Sequence, residues 1–258
     1  MLFRSCVGGF SALPAAQDLL ELRRRLVTAV PDLEATVALF ATFEFPVFER
    51  ETEYVSLGAD DGYPLLSQTL VSSDGVRAMA ADYKGVIEEY LVPHSSAKFA
   101  RMTRETYAVG PLARLKTGFD KLSPMARKVA AALGLAADTV NPYLNLLARL
   151  VEVVHCFEEA IHRIDDVLVA GLKQPAIAVP DGGGQGVAAI EAPRGTLFHA
   201  YRYDAGGCIE SADCVIPTAQ NLANIEADLR ALVPALLDLS REELTRRLEM
   251  LVRAYDPC

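Results

Sequence analysis

The sequence has no tryptophan, only four histidines and only five cysteines among its 258 residues. A small, odd number of scattered cysteines does not form a disulfide framework, which indicates a reducing compartment. Cations are also in short supply, because 25 Lys and Arg face 34 Asp and Glu, for a formal net charge of -9. No basic cluster interrupts this acidity, so a nucleic-acid partner is not expected. No apolar run reaches the length of a membrane span or forms a signal peptide, and we expect a cytoplasmic protein.

The sequence is rich in apolar residues, which make up 51% of the chain. At this length such a chain can bury a sizeable core, and we predict a single domain over residues 1–258. The patterning predicts a mainly α fold with small β-sheets, of the α+β class. Short β-branched and aromatic runs predict a small β insertion at 52–79 and a second β segment at 187–215.

Helical periodicity accounts for most of the remaining chain. The longest predicted helix has Asn141 as its N-cap, Pro142 in its first turn and Gly171 as its stop. The other predicted helices begin near Pro14 and Pro31, cover about Asp82 to Leu91, and start at Gln220 and Ser240.

The long helix carries the step Glu159-Ala160-Ile161-His162, together with His155 and Glu158. A Glu-x-x-His step occurs in four-helix di-iron proteins, where both side chains project from one helix face. That site requires a second Glu-x-x-His step and two more glutamates on facing helices. The sequence has no second copy, so a polar stripe on an amphipathic helix is the preferred interpretation.

Two other patterns are weaker than they first look. The glycines of 182–186 lack the spacing of a phosphate-binding loop, and a strand pattern follows them. Cys208 and Cys214 are an even number of residues apart, so on one strand they would share a face. Paired metal-binding thiols usually sit on tighter turns, which favours two ordinary buried cysteines.

Three segments near the end of the sequence combine unusual chemistry. Pro193-Arg194-Gly195 predicts a turn that presents a cation between two strands. Val215-Ile216-Pro217-Thr218 presents a hydroxyl where an extended segment turns into a helix, and Asp256-Pro257-Cys258 presents a thiol after an Asp-Pro turn. A cation, a hydroxyl and a thiol together suit a soft transition metal whose bound ligands carry negative charge.

In their amino-acid sequences and in their order along the chain, these segments resemble the carboxyl-terminal part of a nickel-iron hydrogenase large (alpha) subunit. The similarity is greatest to the cytoplasmic, NAD(P)-linked type that is sometimes called sulfhydrogenase. Residues 94–99 and 107–115 resemble middle motifs of the same group, which extends the resemblance over essentially the whole chain. It implies the nickel-iron hydrogenase large-subunit fold in a truncated form. Of the four cysteines that hold the metals in that family, only Cys258 has a counterpart here, so we expect a fragment of a larger subunit.

The resemblance also implies a role for each matching residue at a nickel-iron centre whose iron carries carbon monoxide and cyanide. Cys258 would be a terminal thiolate ligand of nickel. Arg194 would stand over the open coordination position as a hydrogen-bond donor or base, with Asp256 holding its guanidinium. Pro193, Pro217 and Thr218 would surround the centre on the cyanide side, with Thr218 donating to a cyanide nitrogen.

The implied activity is the reversible oxidation of hydrogen to protons and electrons by the full-length subunit, and we expect the fragment alone to be inactive. The implied partners are an iron-sulfur small subunit, a flavin-containing NAD(P) diaphorase pair and maturation proteins. One alternative from another class is a metal-free subunit of respiratory complex I with the same fold, which would scaffold a quinone site. Cys258 argues against it, because such a scaffold has no use for the thiol. A helical binding module would leave all three matching segments unexplained.

Overall fold

The computed structural model of the chain describes residues 5–6, 9–10, 13–60, 62–173 and 182–257. Within these ranges the fold is mainly helical with small sheets, which confirms the predicted class. None of the helices described there has both the length and the apolar character needed to cross a bilayer. The helices are α1 (Ala16–Phe40), α2 (Pro111–Gly118), α3 (Pro124–Ala132), α4 (Asn145–Ala170), α5 (Pro217–Leu232) and α6 (Arg241–Tyr255).

The strands of the described residues form small sheets and two-stranded ribbons. They are β1 (Ser5–Cys6), β2 (Gly9–Phe10), β3 (Glu53–Leu57), β4 (Thr69–Ser72), β5 (Arg77–Met79), β6 (Glu88–Tyr90), β7 (Phe99–Arg101), β8 (Tyr107–Ala108), β9 (Gly184–Ala192), β10 (Gly195–Tyr203) and β11 (Ile209–Val215). One sheet has the order β5-β4-β3-β8, with β8 parallel to β3. The other is the antiparallel sheet β11-β10-β9. Both predicted β segments are therefore confirmed.

Helix α4 organises the larger hydrophobic core. The Asn141 side chain accepts a hydrogen bond from the backbone N–H of Tyr143 and caps the short 3₁₀ turn that leads into the helix. Val151 and Val154 are fully buried on its inner face, and Gly171 ends the helix with a positive φ of 78°. The predicted start and stop of the longest helix are thus confirmed to within a turn. A second core lies between the two sheets, around Phe198 and Val215.

Three polar residues of α4 in or beside the di-iron-like step bind other protein groups. Ser123 donates its backbone N–H to Nδ1 of His155, and Met125 donates its own to the Glu158 carboxylate. These bonds satisfy two of the free N–H groups at the start of α3. Burial lowers the pKa of His155, which favours the neutral ring that accepts this bond. Glu159 pairs with Arg163 one helical turn away.

Two predicted helix boundaries are wrong. A single helix, α1, runs through Pro31, where two helices were expected. Pro31 removes one backbone hydrogen bond from the helix. Val37 and Phe40, which follow it, pack against the core and stabilise the helix beyond the proline. The predicted helix at 82–91 is a 3₁₀ turn over Ala80–Gly85 followed by β6, which pairs with β7. Pairing with the next strand along the chain overrides the local helix preference there.

The expectation that Cys208 and Cys214 are buried is also wrong, because both are exposed. Cys208 precedes β11 in a turn that begins at Asp204, so the two thiols do not share one strand. The face of β11 that carries Cys214 points away from the second core. The alternation argument therefore does not apply to this pair, and which face of a strand is covered depends on the rest of the fold.

Candidate functional site

The Arg194 turn is held by an unusually close backbone approach. Pro193 and Arg194 form the two-residue connection between β9 and β10, as predicted, and Gly195 then takes a φ of 140°. A Cβ atom on Gly195 would lie 2.3 Å from Cγ2 of Val109, and one on Gly110 would lie 2.8 Å from the carbonyl oxygen of Arg194. Gly110 and Gly195 therefore each lie against the segment that carries the other. Only glycine permits both the positive φ and so close an approach.

We expect Gly195→Ala to lower the free energy of unfolding by about 2 to 4 kcal/mol, from backbone strain and overpacking together. Gly75→Ala is the matched control, because Gly75 also has a positive φ, of 92°, but open space where its Cβ would lie. We expect the control to cost about 1 kcal/mol from strain alone. Urea unfolding of both variants measures the difference, and equal losses would show that the contact with Val109 is unimportant.

Helix α5 ties this turn to the β8 segment through two buried amides. Asn221 accepts a hydrogen bond from the Val109 N–H at 2.9 Å and donates to the Val109 carbonyl at 3.2 Å. Gln220 donates to the Thr196 carbonyl at 2.6 Å and accepts from the Tyr107 hydroxyl at 3.2 Å. Buried amides with satisfied hydrogen bonds fix one arrangement of the elements they join. Gln220 and Asn221, near the start of α5, are thus polar although buried because they bind these distant segments.

The end of α6 is anchored by buried hydrogen bonds and an ion pair around Tyr255. The Tyr255 hydroxyl donates to Asp228 at 2.6 Å and accepts from Asn224 at 2.7 Å. Arg50 closes the cluster with a 2.5 Å ion pair to the same carboxylate. Burial raises the pKa of Asp228, while the bonds from Tyr255 and Arg50 act in the opposite direction. Asp256 follows at once, in the left-handed conformation with a φ of 53°.

Arg194 and Asp256, which are 62 positions apart in the chain, meet between these two anchored segments. Nε of Arg194 donates to the backbone carbonyl of Asp256 at 2.5 Å and lies 3.2 Å from its carboxylate. Nη2 donates to the other carboxylate oxygen at 3.4 Å. Within the described part of the chain no hydrogen bond uses Nη1, so one end of the guanidinium is free to donate elsewhere.

A second cation beside Asp256 was missed by sequence reasoning. Nη1 of Arg149, on α4, lies 3.7 Å from the Asp256 carboxylate. Its Nε and Nη2 atoms are buried and find no hydrogen-bond partner among the residues described. In the sequence, Arg149 is one of several polar residues along the long helix α4. Its neighbour in space, Asp256, follows α6, which is distant in the chain. Nothing in the local pattern could have distinguished it from a solvated arginine.

The other residues predicted to belong to the site are Pro193, Pro217, Thr218 and Cys258. Pro217 and Thr218 are buried in the first turn of α5, which begins three residues earlier than predicted. That turn lies at the same end of the sheet as Arg194, because Val215 pairs with Phe198 near the start of β10. Pro193 is exposed in the arginine turn. Cys258 lies outside the described residues, so the expected meeting of Arg194 and Cys258 stays a prediction.

Known proteins of one family are similar to this chain. A family model for nickel-dependent hydrogenases matches residues 79–258. The chain belongs to this family. Its similarity to the alpha subunit of sulfhydrogenase 1 from Pyrococcus furiosus is 32% identity over 254 residues, which cover 98% of this chain and 59% of that subunit. This hydrogenase-family chain thus spans less than two thirds of the length of that relative.

Solved structures show the same relationship. An NAD+-reducing NiFe-hydrogenase in its H2-reduced state superposes with a TM-score of 0.79 at 27% identity, covering 97% of this chain and 60% of that one. The Ni-Fe-Se hydrogenase from D. vulgaris Hildenborough superposes with a TM-score of 0.66 at 22% identity, covering 97% of this chain and 62% of that one, which supports the fold alone.

The described residues of this hydrogenase-family chain lack a set of metal ligands. Among the residues that the structure describes, no group of three His, Cys, Asp or Glu side chains could hold a metal ion. The described thiols Cys156, Cys208 and Cys214 are exposed and take no part in the Arg194 cluster. A stable metal site needs several converging deprotonated ligands. The described part of the chain therefore does not supply a metal's ligand set by itself.

Proposed function

We propose that in the complete protein this chain forms one wall of a nickel-iron centre that catalyses the reversible oxidation of hydrogen. Membership of the nickel-dependent hydrogenase family supports the reaction. The observation that carries the site is the Arg194–Asp256 pair, which joins two segments 62 positions apart and leaves Nη1 without a hydrogen-bond partner among the described residues. Arg194 acts in this proposal as a hydrogen-bond donor, because a guanidinium carries five N–H donors and no acceptor. Asp256 holds it by ion pairing and through its own backbone carbonyl.

The other residues keep the roles that the resemblance implies. Cys258 is proposed as a terminal nickel thiolate, and the iron is proposed to carry carbon monoxide and cyanide. Thiolate ligands suit the electron-rich nickel that splits hydrogen. Pro193, Pro217 and Thr218 are proposed to border the cyanide side. Their contribution is a shaped, dry surface and a hydroxyl donor, which support ligands bound beyond the protein's own side chains.

The electrons need a route away from the centre. Five cysteines are too few to hold iron-sulfur clusters in addition to a metal centre, so we assign the clusters to a separate small subunit. The relative in the NAD+-reducing hydrogenase structure supports pyridine nucleotide as the eventual acceptor. A flavin-containing diaphorase pair would carry out that step, and maturation proteins would load the metals. We place the assembly in the cytoplasm.

The test is a Cys258→Ser variant of the complete protein, produced in a host with working hydrogenase maturation. We expect nickel per protein to fall below about one tenth of the wild-type content and hydrogen-dependent dye reduction to be abolished, because serine is a poor ligand for soft nickel. Cys214→Ser is the matched control, since that thiol is exposed and its hydrogen-bond contacts are with His199 and Tyr201. Full nickel occupancy in the Cys258 variant would contradict the proposed ligand.

A further inference from the structure

Arg114 is the most deeply buried cation among the described residues. It lies on α2, and its side chain is 2% exposed. Nε and Nη2 donate to the two oxygens of Glu152 at 2.6 Å each, and Nη1 donates to Glu191 at 2.8 Å. Glu152 comes from α4 and Glu191 from the end of β9. One guanidinium therefore joins a helix of the larger core to the strand that leads into the Arg194 turn.

The same guanidinium also holds the turn itself. Nη1 donates to the carbonyl of Ala192 at 2.9 Å, and Nη2 donates to the carbonyl of Pro193 at 3.0 Å. Pro193 immediately precedes Arg194, so these bonds act on the peptide that sets the direction of the Arg194 side chain. With the three bonds to carboxylates, all five N–H groups of Arg114 have acceptors.

Burying a guanidinium costs several kcal/mol unless its charge and all of its donors are satisfied. Two carboxylates and two carbonyls meet that requirement here. The acceptors are themselves held, because Glu191 also accepts from Thr196 at 2.5 Å and from the Leu57 N–H at 2.9 Å, and Tyr63 donates to Glu152 at 2.7 Å. Burial raises the pKa of Glu191, while Arg114 and Thr196 act against that rise. The cluster is a rigid, fully connected support.

We propose that Arg114 is a positioning residue whose bonds to the Ala192 and Pro193 carbonyls aim Arg194 at the site. Its geometry explains why lysine would not serve, because an ammonium has three donors on a flexible stem, whereas the planar guanidinium reaches two carboxylates and two carbonyls at once. The consequence for turnover rests on the proposed function. The consequence for the turn does not.

The test compares three variants of the complete protein: Arg114→Lys, Glu152→Gln and Tyr63→Phe. Hydrogen–deuterium exchange is measured on the peptide that covers residues 190–198. We expect Arg114→Lys to accelerate exchange there about tenfold or more, because the two carbonyl bonds are lost. Glu152 does not contact the turn, so its effect must pass through Arg114, and we expect about a two- to fivefold acceleration. Tyr63→Phe removes one bond on the far side of the cluster, and we expect a lower unfolding midpoint with exchange at 190–198 changed by less than about twofold.

Turnover supplies the second measurement. We expect Arg114→Lys to lower kcat for hydrogen about tenfold or more with KM nearly unchanged, and Tyr63→Phe to leave kcat unchanged. The inference is overturned if Tyr63→Phe accelerates exchange at 190–198 as much as the two Arg114-directed variants do. If Arg114→Lys does not fold, Glu152→Gln decides alone, and normal exchange in that variant overturns the inference. A wild-type protein without hydrogen turnover contradicts the proposed function, whereas the exchange result still decides the role of Arg114.

Discussion

Arg194→Lys in the complete protein is expected to lower hydrogen turnover by roughly 10² to 10³, with nickel and iron still bound. Lysine keeps the charge but has no planar fork. Arg194 uses Nε on the backbone carbonyl of Asp256 and Nη2 on its carboxylate, and Nη1, which has no partner among the described residues, is the donor proposed to face the site. The single ammonium of lysine cannot bind Asp256 and also donate to the site, so it does one or the other.

The measurement is hydrogen-dependent dye reduction alongside nickel and iron content per protein. Arg202→Lys is the matched control, because Arg202 is an exposed arginine on β10 that donates to Gln185. We expect the control to retain turnover within about twofold, as for most surface substitutions. Near-normal turnover in the Arg194 variant would remove Arg194 from the proposed site. Loss of the metals together with turnover would assign it a structural role instead.

The second large effect concerns the 258-residue polypeptide expressed by itself. We expect it to carry less than about a tenth of one nickel per chain and to show no hydrogen uptake, because metal affinity depends on several converging ligands. The resemblance assigns one thiolate, Cys258, out of the four that the family uses. The described residues contain no alternative cluster of three ligating side chains. One thiolate leaves nickel weakly held and gives iron no bridging sulfur.

The polypeptide would be purified from a host with working hydrogenase maturation and compared with the complete protein. Metal analysis gives nickel and iron per chain, infrared spectroscopy detects bound carbon monoxide and cyanide, and a dye assay measures hydrogen uptake. Stoichiometric metals with those infrared bands would show that other ligands replace the expected thiolates. Cys208 and Cys214 would then be the first residues to test, by conversion to serine.

Local signals in the sequence determined the elements that frame the site. Asn141-Pro142 and Gly171 bound the long helix because capping and a left-handed stop act within a few residues. Short runs of apolar and aromatic residues marked β9 and β10, and the Pro-Arg-Gly segment between them marked the turn. The amino-acid sequences of three short segments were sufficient to identify the family.

The tertiary structure decided which of these residues meet. The Arg194–Asp256 pair depends on Val109 packing against Gly195 and on Asp228 holding Tyr255, and no periodicity within either segment contains those contacts. Arg114 and Arg149 look alike in sequence, as arginines on amphipathic helices. The fold buries one among four acceptors and sets the other beside Asp256. Capping and strand alternation are short-range preferences, whereas the partner of a buried charge is chosen by chain segments that are distant in sequence.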